Sequence, residues 1–260
     1  MKRIPVFRPQ LIARLAAAGI IAASLAACAT RPPASNPIAL GAYEEANDPL
    51  EPFNRAMFNV DAGLDKVLIR PIIKGYRVIV PEKARPHLSN FVDNFRSPIT
   101  LANDLMQAEF RRAGITLGRF VVNTGMGFFG FFDVGEEIGL AYHSEDFGQT
   151  LARWGVPEGP YIYVPLLGPM SFRDGIGFGV DAFLVDPVAW YGRADGSMAW
   201  VQWANFGLVY VMAKDNSMDP LDELKKSSLD YYAALRSSYR QIRAKEIRNG
   251  APPPMEDFDE

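Results

Sequence analysis

From residue 49 to residue 250 the apolar side chains recur mostly at intervals of three and four, the period of an α-helix, and rarely at the interval of two that a half-buried strand needs. Phe53, Met57, Val60, Leu64 and Val67 form one stripe across residues 49–68. Leu88, Phe91, Val92 and Phe95 form a second, and Pro98 is placed to open a third helix in its first turn. Residues 111–124 read as a fourth helix with Ile115, Phe120 and Val121 inward, and residues 145–154 as a short one closed by Gly155. Tyr161 to Val164, held between two prolines, is the one convincing extended run. Ser171 and Asp174 have capping-box spacing and open a segment with glycines at 175, 177 and 179. Glycine costs about 1 kcal/mol per helical site relative to alanine, so three of them imply that another backbone comes close. Residues 198–213 are apolar almost all round. Asp219 and Pro220 read as the start of a long last helix carrying Leu221, Leu224, Tyr232, Leu235, Tyr239 and Ile242 on one face. The expected fold class is all-α, predominantly helical, with little or no β structure.

What precedes this domain constrains where it works. Residues 1–14 carry Lys2, Arg3, Arg8 and Arg14 and no acid, and residues 15–27, LAAAGIIAASLAA, are uncharged and too short to span a bilayer stably. Such a pair of segments is a secretory signal peptide. It ends in Leu25-Ala26-Ala27-Cys28, which looks like a bacterial lipobox, and Cys28 is the only cysteine in the chain. On this reading Cys28 becomes the mature N-terminus and carries three acyl chains, where two membrane signals already anchor stably. Ala29 stands where an aspartate would favour inner-membrane retention, so the expected location is the outer membrane, lipid-anchored, on the periplasmic side. With no second cysteine there is no disulfide even in an oxidising compartment, and stability has to come from packing. The chain thus divides into a lipoprotein signal peptide (1–27), a lipidated N-terminus and linker (28–48), a helical domain (49–250) and an acidic disordered tail (251–260).

Loss of the leader removes four of the 27 basic residues and none of the 30 acids, so the mature formal charge is 23 − 30 = −7. That argues against nucleic acid as a partner. Two histidines, His87 and His143, and no free cysteine make a zinc site unexpected. Neither a nucleophile elbow nor a P-loop occurs. The stretch GMGFFG, residues 125–130, matches G-x-G-x-x-G, but a dinucleotide turn needs a strand before it and an acid about 20 residues on. Here the preceding residues have helical periodicity and position 150 is a threonine. No catalytic residue, metal or cofactor is expected.

Several segments carry a resemblance to a known family. They are Asp48-Pro-Leu-Glu-Pro-Phe-Asn-Arg55, Asn123-Thr124 followed by the Gly-Phe loop and Asp133, Glu145-Asp-Phe-Gly-Gln-Thr-Leu151, Trp154-Gly-Val156, Gly159-Pro-Tyr161, Val164-Pro-Leu-Leu-Gly-Pro169, Ser171-Phe-Arg-Asp174 and Asp186-Pro187. In this order, and behind a lipobox, they resemble the MlaA (VacJ) lipoprotein family over roughly residues 47–245. The resemblance implies a ring-shaped helical domain embedded in the inner leaflet of the outer membrane, with an amphipathic channel. Family members remove mislocalised phospholipids from the outer leaflet and pass them to a periplasmic lipid carrier of the Mla type. Some associate with a trimeric outer-membrane porin. Two other readings stay open at this point: a phospholipase acting on the same surface lipids, and a structural tether to a porin.

A phospholipid needs an apolar wall beside polar groups that accompany its headgroup. In the first stripe Met57 and Val60 lie beside Asn54, Arg55 and Asn59, which makes these five channel candidates, with ordinary core packing the alternative. Phe128, Phe129, Phe131 and Phe132 are the other candidates, because a glycine-rich loop stores four large rings badly in a small core. Whether they face lipid or core is open from sequence. Trp200, Trp203, Phe206 and Tyr210 suit interfacial depth in a membrane.

Overall fold

Caps and prolines set most element boundaries in this chain. The computed structural model describes residues 31–253 apart from 195, 197 and 198. The signal peptide, Cys28 and the end of the acidic tail lie outside the described residues. Helix α1 (Pro37–Ala46) starts at Asn36, whose side chain accepts from the Ala39 N–H, and stops at Asn47 in the left-handed conformation. It falls inside the stretch read as linker. Good helix formers and two asparagine caps suffice to build it, and since it buries no residue it leaves no apolar stripe to read.

Helix α2 (Glu51–Leu64) runs through a π-helical turn, Asp65–Ile69, directly into α3 (Arg70–Ile79). Pro71 sits in the first turn of α3. The wide turn before it absorbs the missing N–H and the clash of its ring with the carbonyl four residues back. A second proline corrects the sequence reading: Pro98 opens no helix but lies inside α4 (Arg85–Met106). Ser97 Oγ donates to the Asp93 carbonyl at 3.2 Å, beside the carbonyl that Pro98 leaves without its helical donor. Asn94, Ile99, Thr100 and Asn103 are buried on both sides of the proline, so packing holds the two halves in line.

Helices α5 (Phe110–Gly125), α6 (Val134–Glu137) and α7 (Phe147–Arg153) follow, then the antiparallel hairpin β1 (Tyr161–Val164) and β2 (Gly168–Ser171), in which Tyr161 faces Ser171 and Val164 faces Gly168. This is the only sheet among the described residues, and it includes the extended run expected from sequence. Ser171 caps α8 (Phe172–Val180) through the Asp174 N–H at 3.1 Å. Only this half of a capping box forms, because Tyr239 takes the Ser171 N–H instead. The glycine argument holds at Gly177, where a Cβ would lie 2.2 Å from the Gly148 nitrogen as α8 crosses α7; at Gly179 the space is open.

A π-helical turn, Asp181–Val185, leads to α9 (Pro187–Ala194), α10 (Ala199–Ser227) and α11 (Tyr231–Ile247). Asp219 and Pro220 are not a helix start. They lie within α10, where Asp219 pairs with Arg77 at 3.1 Å. The break comes later, and Asp230 caps α11 by accepting from the Ala233 N–H. The stripe read as one helix therefore spans two. Its parts converge all the same: Leu221 and Leu224 from α10 and Tyr232, Leu235 and Tyr239 from α11 pack around Tyr161 and Tyr163, with Met57 and Phe58 of α2. A smaller apolar cluster joins Ile69, Ile73 and Met218. The fold class is the expected one, helical with one small hairpin.

Candidate functional site

The interior of the helical domain is unusually polar. Among the described residues, buried polar and charged side chains outnumber buried apolar ones, while large apolar side chains stand exposed along every long helix. Isolated surface leucines are normal; many exposed phenylalanines and tryptophans over a polar interior are not.

The interior polar groups are paired. Asn54 is fully buried: its amide nitrogen donates to Asp48 at 2.7 Å and to the Tyr161 carbonyl at 3.0 Å, and its oxygen accepts the Tyr163 N–H. Asp48 also accepts from Tyr232 and from Arg236. Asp61, two turns on from Asn54, accepts from the Tyr163 hydroxyl and the Leu166 N–H, both at 2.7 Å. Arg243 of α11 clamps Asp146 at the start of α7 and Asp174 in α8, at 2.7 and 3.0 Å. Burial works against ionisation of both acids, yet their hydrogen bonds from Arg243 hold them below the usual carboxylate range.

Along the contact between α4 and α5 this polar interior opens into a cavity of about 180 Å³, lined by Asn90, Asp93, Asn94, Ser97, Arg119, Asn123, Asp133 and Tyr142. Arg119 pairs with Asp133 at 2.6 Å, and Asn123 donates to the same carboxylate at 3.0 Å. Asp93 makes no ion pair among the described residues, and burial pushes its carboxyl up against the opposing pull of Tyr142, Arg96 and Arg119. Beyond it, His143 Nε2 lies 3.0 Å from Asp104 and 3.1 Å from Thr116 Oγ1. One nitrogen faces both partners, so the ring cannot bridge an acid and a nucleophile as a catalytic triad requires.

The Phe-rich loop runs between two of the lining residues, Asn123 and Asp133, and is tied to a third, Asn94. Asn94 donates to Thr124 Oγ1 at 2.9 Å and to the Phe129 carbonyl at 3.4 Å. Gly130 has a φ of +96°, and a Cβ there would collide with Asn94 at 2.4 Å. The Gly130 N–H bonds the Asn123 carbonyl and His87 Nδ1 lies 3.0 Å from the Phe131 carbonyl. The loop follows a helix rather than a strand, so its glycines serve a tight turn. Phe131 turns inward and stacks on Phe91 with ring centroids 4.8 Å apart. Phe128, Phe129 and Phe132 remain 65, 60 and 53 % exposed on a backbone whose hydrogen bonds are made.

The candidates named from sequence therefore part company. Asn54 belongs to the interior knot, and Met57 packs against the tyrosine core. Arg55 pairs with Glu51 and Asp230 and lies over the Tyr232 ring at 4.5 Å. Asn59 and Val60 are exposed on the opposite face of α2. These five do not line one surface. Sequence reasoning missed the cavity residues, although a signal existed. Asn90, Asp93, Ser97 and Thr100 on α4, and Arg112, Thr116, Arg119 and Asn123 on α5, recur at intervals of three and four, and in a water-soluble protein such a stripe would simply be the wet face.

Burial of a carboxylate in this interior has a pH signature. Asp181 accepts from Asn103 and from the Phe147 N–H, and burial pushes its pKa up to about 6. Between its ordinary value near 4 and that value the folded state holds a proton that the unfolded state has released. Stability in detergent should therefore fall as pH rises from about 4 to 6, by roughly 2 kcal/mol, with Asp93 and Glu145, also raised by burial, acting in the same direction. Asp181→Asn should be less stable but flatter across that window in thermal melts. An unchanged slope would remove Asp181 as its source.

The profile of the MlaA lipoprotein family matches residues 46–246. The chain belongs to the MlaA lipoprotein family. Among its relatives, the intermembrane phospholipid transport system lipoprotein MlaA of Escherichia coli K12 is 32% identical over 212 residues, covering 78% of this chain and 79% of that one. The protein of the same description from Haemophilus influenzae is 31% identical, covering 79% and 81%. An uncharacterised protein of Rickettsia conorii is 30% identical over 204 residues. A solved structure described as the structural basis for maintenance of bacterial outer membrane lipid asymmetry is 30% identical, with a TM-score of 0.64 over 77% of this chain and 98% of that chain. A transport lipoprotein family is no enzyme family, and the phospholipase alternative falls with it.

Proposed function

We propose that this family member is an outer-membrane lipoprotein that takes misplaced phospholipids from the outer leaflet and passes them along an amphipathic path to a periplasmic carrier, maintaining lipid asymmetry. The single observation that carries the reading is the partition of the domain: apolar side chains outward, charged and amide side chains paired inside, and a polar cavity with exposed phenylalanines on the loop that joins two of its lining residues. Lipid is the solvent that favours such an exterior. No helix among the described residues is long and apolar enough to cross a membrane. Trp190, Tyr191, Trp200 and Trp203 are exposed where α9 meets α10, and such rings prefer the interfacial depth. The anchor at Cys28, read from the lipobox, and the ring shape, implied by the family, complete the reading, and a trimeric porin is a partner that some family members have.

One preparation tests it. The full chain, extracted in detergent from outer membranes and analysed by native mass spectrometry, is expected to carry an acylated Cys28 and co-purified intact phospholipid. Labelled phospholipid added to it should be bound and recovered unchanged. Released fatty acid or lysolipid, or a protein that neither retains nor takes up phospholipid, would overturn the reading.

A further inference from the structure

We infer that the cavity between α4 and α5 binds a zwitterionic, ethanolamine-type headgroup, with Asp93 and the Asn94 side-chain oxygen receiving the ammonium inside it and the exposed Arg96, outside the lining on the same helix, receiving the phosphate. The inference deepens the phospholipid-transport reading and rests on it. Most charges around the cavity are already used. Arg119 is held by Asp133 at 2.6 Å, by Glu136 at 3.3 Å and by the Leu140 carbonyl, so it has little left for a ligand, and Asp133 is neutralised in return. Asp93 and Arg96 remain. Neither makes an ion pair with any described residue, and Arg96 makes no hydrogen bond there either, although the two lie one helical turn apart on α4. Side chains at this spacing are neighbours on one helix face, with Cβ atoms about 5–6 Å apart, so a ligand whose ammonium meets Asp93 in the lining can present its phosphate to Arg96 outside it.

A buried acceptor strengthens the case. Asn94 is 6 % exposed, its amide nitrogen is engaged by Thr124 and Phe129, and its Oδ1 has no partner. Buried polar atoms are normally satisfied, and an ammonium that carries N–H groups can satisfy this one where a quaternary choline cannot. An anionic glycerol headgroup would offer no cation to Asp93. The cavity volume, about 180 Å³, is roughly six times the ~30 Å³ share of one water, room for a headgroup and not for acyl chains. Those have a place close by, because Asn94 also holds the loop that exposes Phe128 and Phe129.

The test uses the full-length lipoprotein in detergent, equilibrated with mixed micelles of equimolar phosphatidylethanolamine, phosphatidylcholine and phosphatidylglycerol, with bound lipid quantified by mass spectrometry. Wild type is expected to enrich phosphatidylethanolamine over phosphatidylglycerol about tenfold, the value of one good charge-assisted contact. Asp93→Asn should bring that ratio close to the input while total bound lipid persists, and its melting temperature should be no lower than wild type, since no ion pair is lost. Arg96→Gln should reduce all three lipids. Wild-type binding at the input ratio would overturn the inference while leaving the transport reading intact, and that measurement needs no variant. An Asp93→Asn protein that keeps the preference would overturn it too. Failure to bind any phospholipid would bring down both readings.

Discussion

Replacing Arg243 by methionine is expected to cost about 3–5 kcal/mol of folding stability, the usual result of stripping a buried carboxylate of its partner. Asp146 loses its one ion pair among the described residues, and Asp174 is left with Arg173 at 3.1 Å and the Tyr239 hydroxyl. Asp146 caps α7 by accepting the Gln149 N–H, and Asp174 sits in the first turn of α8. Arg243 reaches both from α11, with each of its three nitrogens engaged. The join is also tight in space, for α7 meets α8 glycine to glycine at Gly148 and Gly177, so the helices cannot slide to admit water in place of the guanidinium. Against a typical total of 5–15 kcal/mol this is a large fraction, and for about 200 residues it corresponds to roughly 6–20 °C in Tm. Arg243→Lys should recover only part, because a point charge cannot serve two carboxylates as a planar fork does. Thermal and denaturant unfolding of the three proteins in one detergent checks this. A loss below 1 kcal/mol for the methionine variant would show that the knot is solvated in the native protein.

The second large effect is functional. Changing Phe128 and Phe129 to serine should weaken lipid capture by about 30- to several hundred-fold while Tm in detergent hardly moves. Both rings are more than half exposed, so truncation opens no cavity in the core. Both residues have positive φ, 51° and 58°, where a bulky side chain is costly and a smaller one no worse. Whatever these rings contribute is therefore contributed to something outside the fold. Burying a phenylalanine is worth about 1.5–3 kcal/mol; with somewhat over half of each ring available, the pair contributes roughly 2–4 kcal/mol to a lipid contact, hence the expected factor. The same change at Phe131 should behave in the opposite way, because its ring stacks on Phe91: stability falls first, and capture per folded molecule holds. If the double serine variant melts far below wild type yet captures lipid normally once folded, the loop belongs to the core after all.

Why a chain carries a bulky residue where glycine or asparagine would be easier bears on how much of this protein was legible beforehand. The period of the apolar residues was enough for the helical class and for one strand of its hairpin, and the cap at Ser171 and the close approach at Gly177 follow from local chemistry that tertiary structure had no reason to override. Boundaries at prolines were not legible. Pro98 and Pro220 look like helix starts because an isolated chain would break there; Pro98 is carried through by side chains buried on either side, and Pro220 by buried Met218 before it and partly buried Leu221 and Leu224 after it. The motif residues were visible but their roles were not. Asn54 read as a channel candidate and Asp48, Asp133, Glu145 and Asp146 as members of the family's motifs, and in the structure they are internal fasteners, each matched to a partner on another element.

The candidate site shows the same division in its sharpest form. Helical periodicity reveals that a helix has two unlike faces, and that much the sequence determined for α2, α4 and α5. Which face turns inward depends on the medium around the finished domain. In water the apolar stripe would be buried and Asp93, Arg119 and Asn123 would be surface residues. Here the tertiary structure packs many of the polar groups together, satisfies them with one another and leaves apolar rings outside, an arrangement that suits the lipid surroundings we propose. Only the packing of one helix against another could decide that.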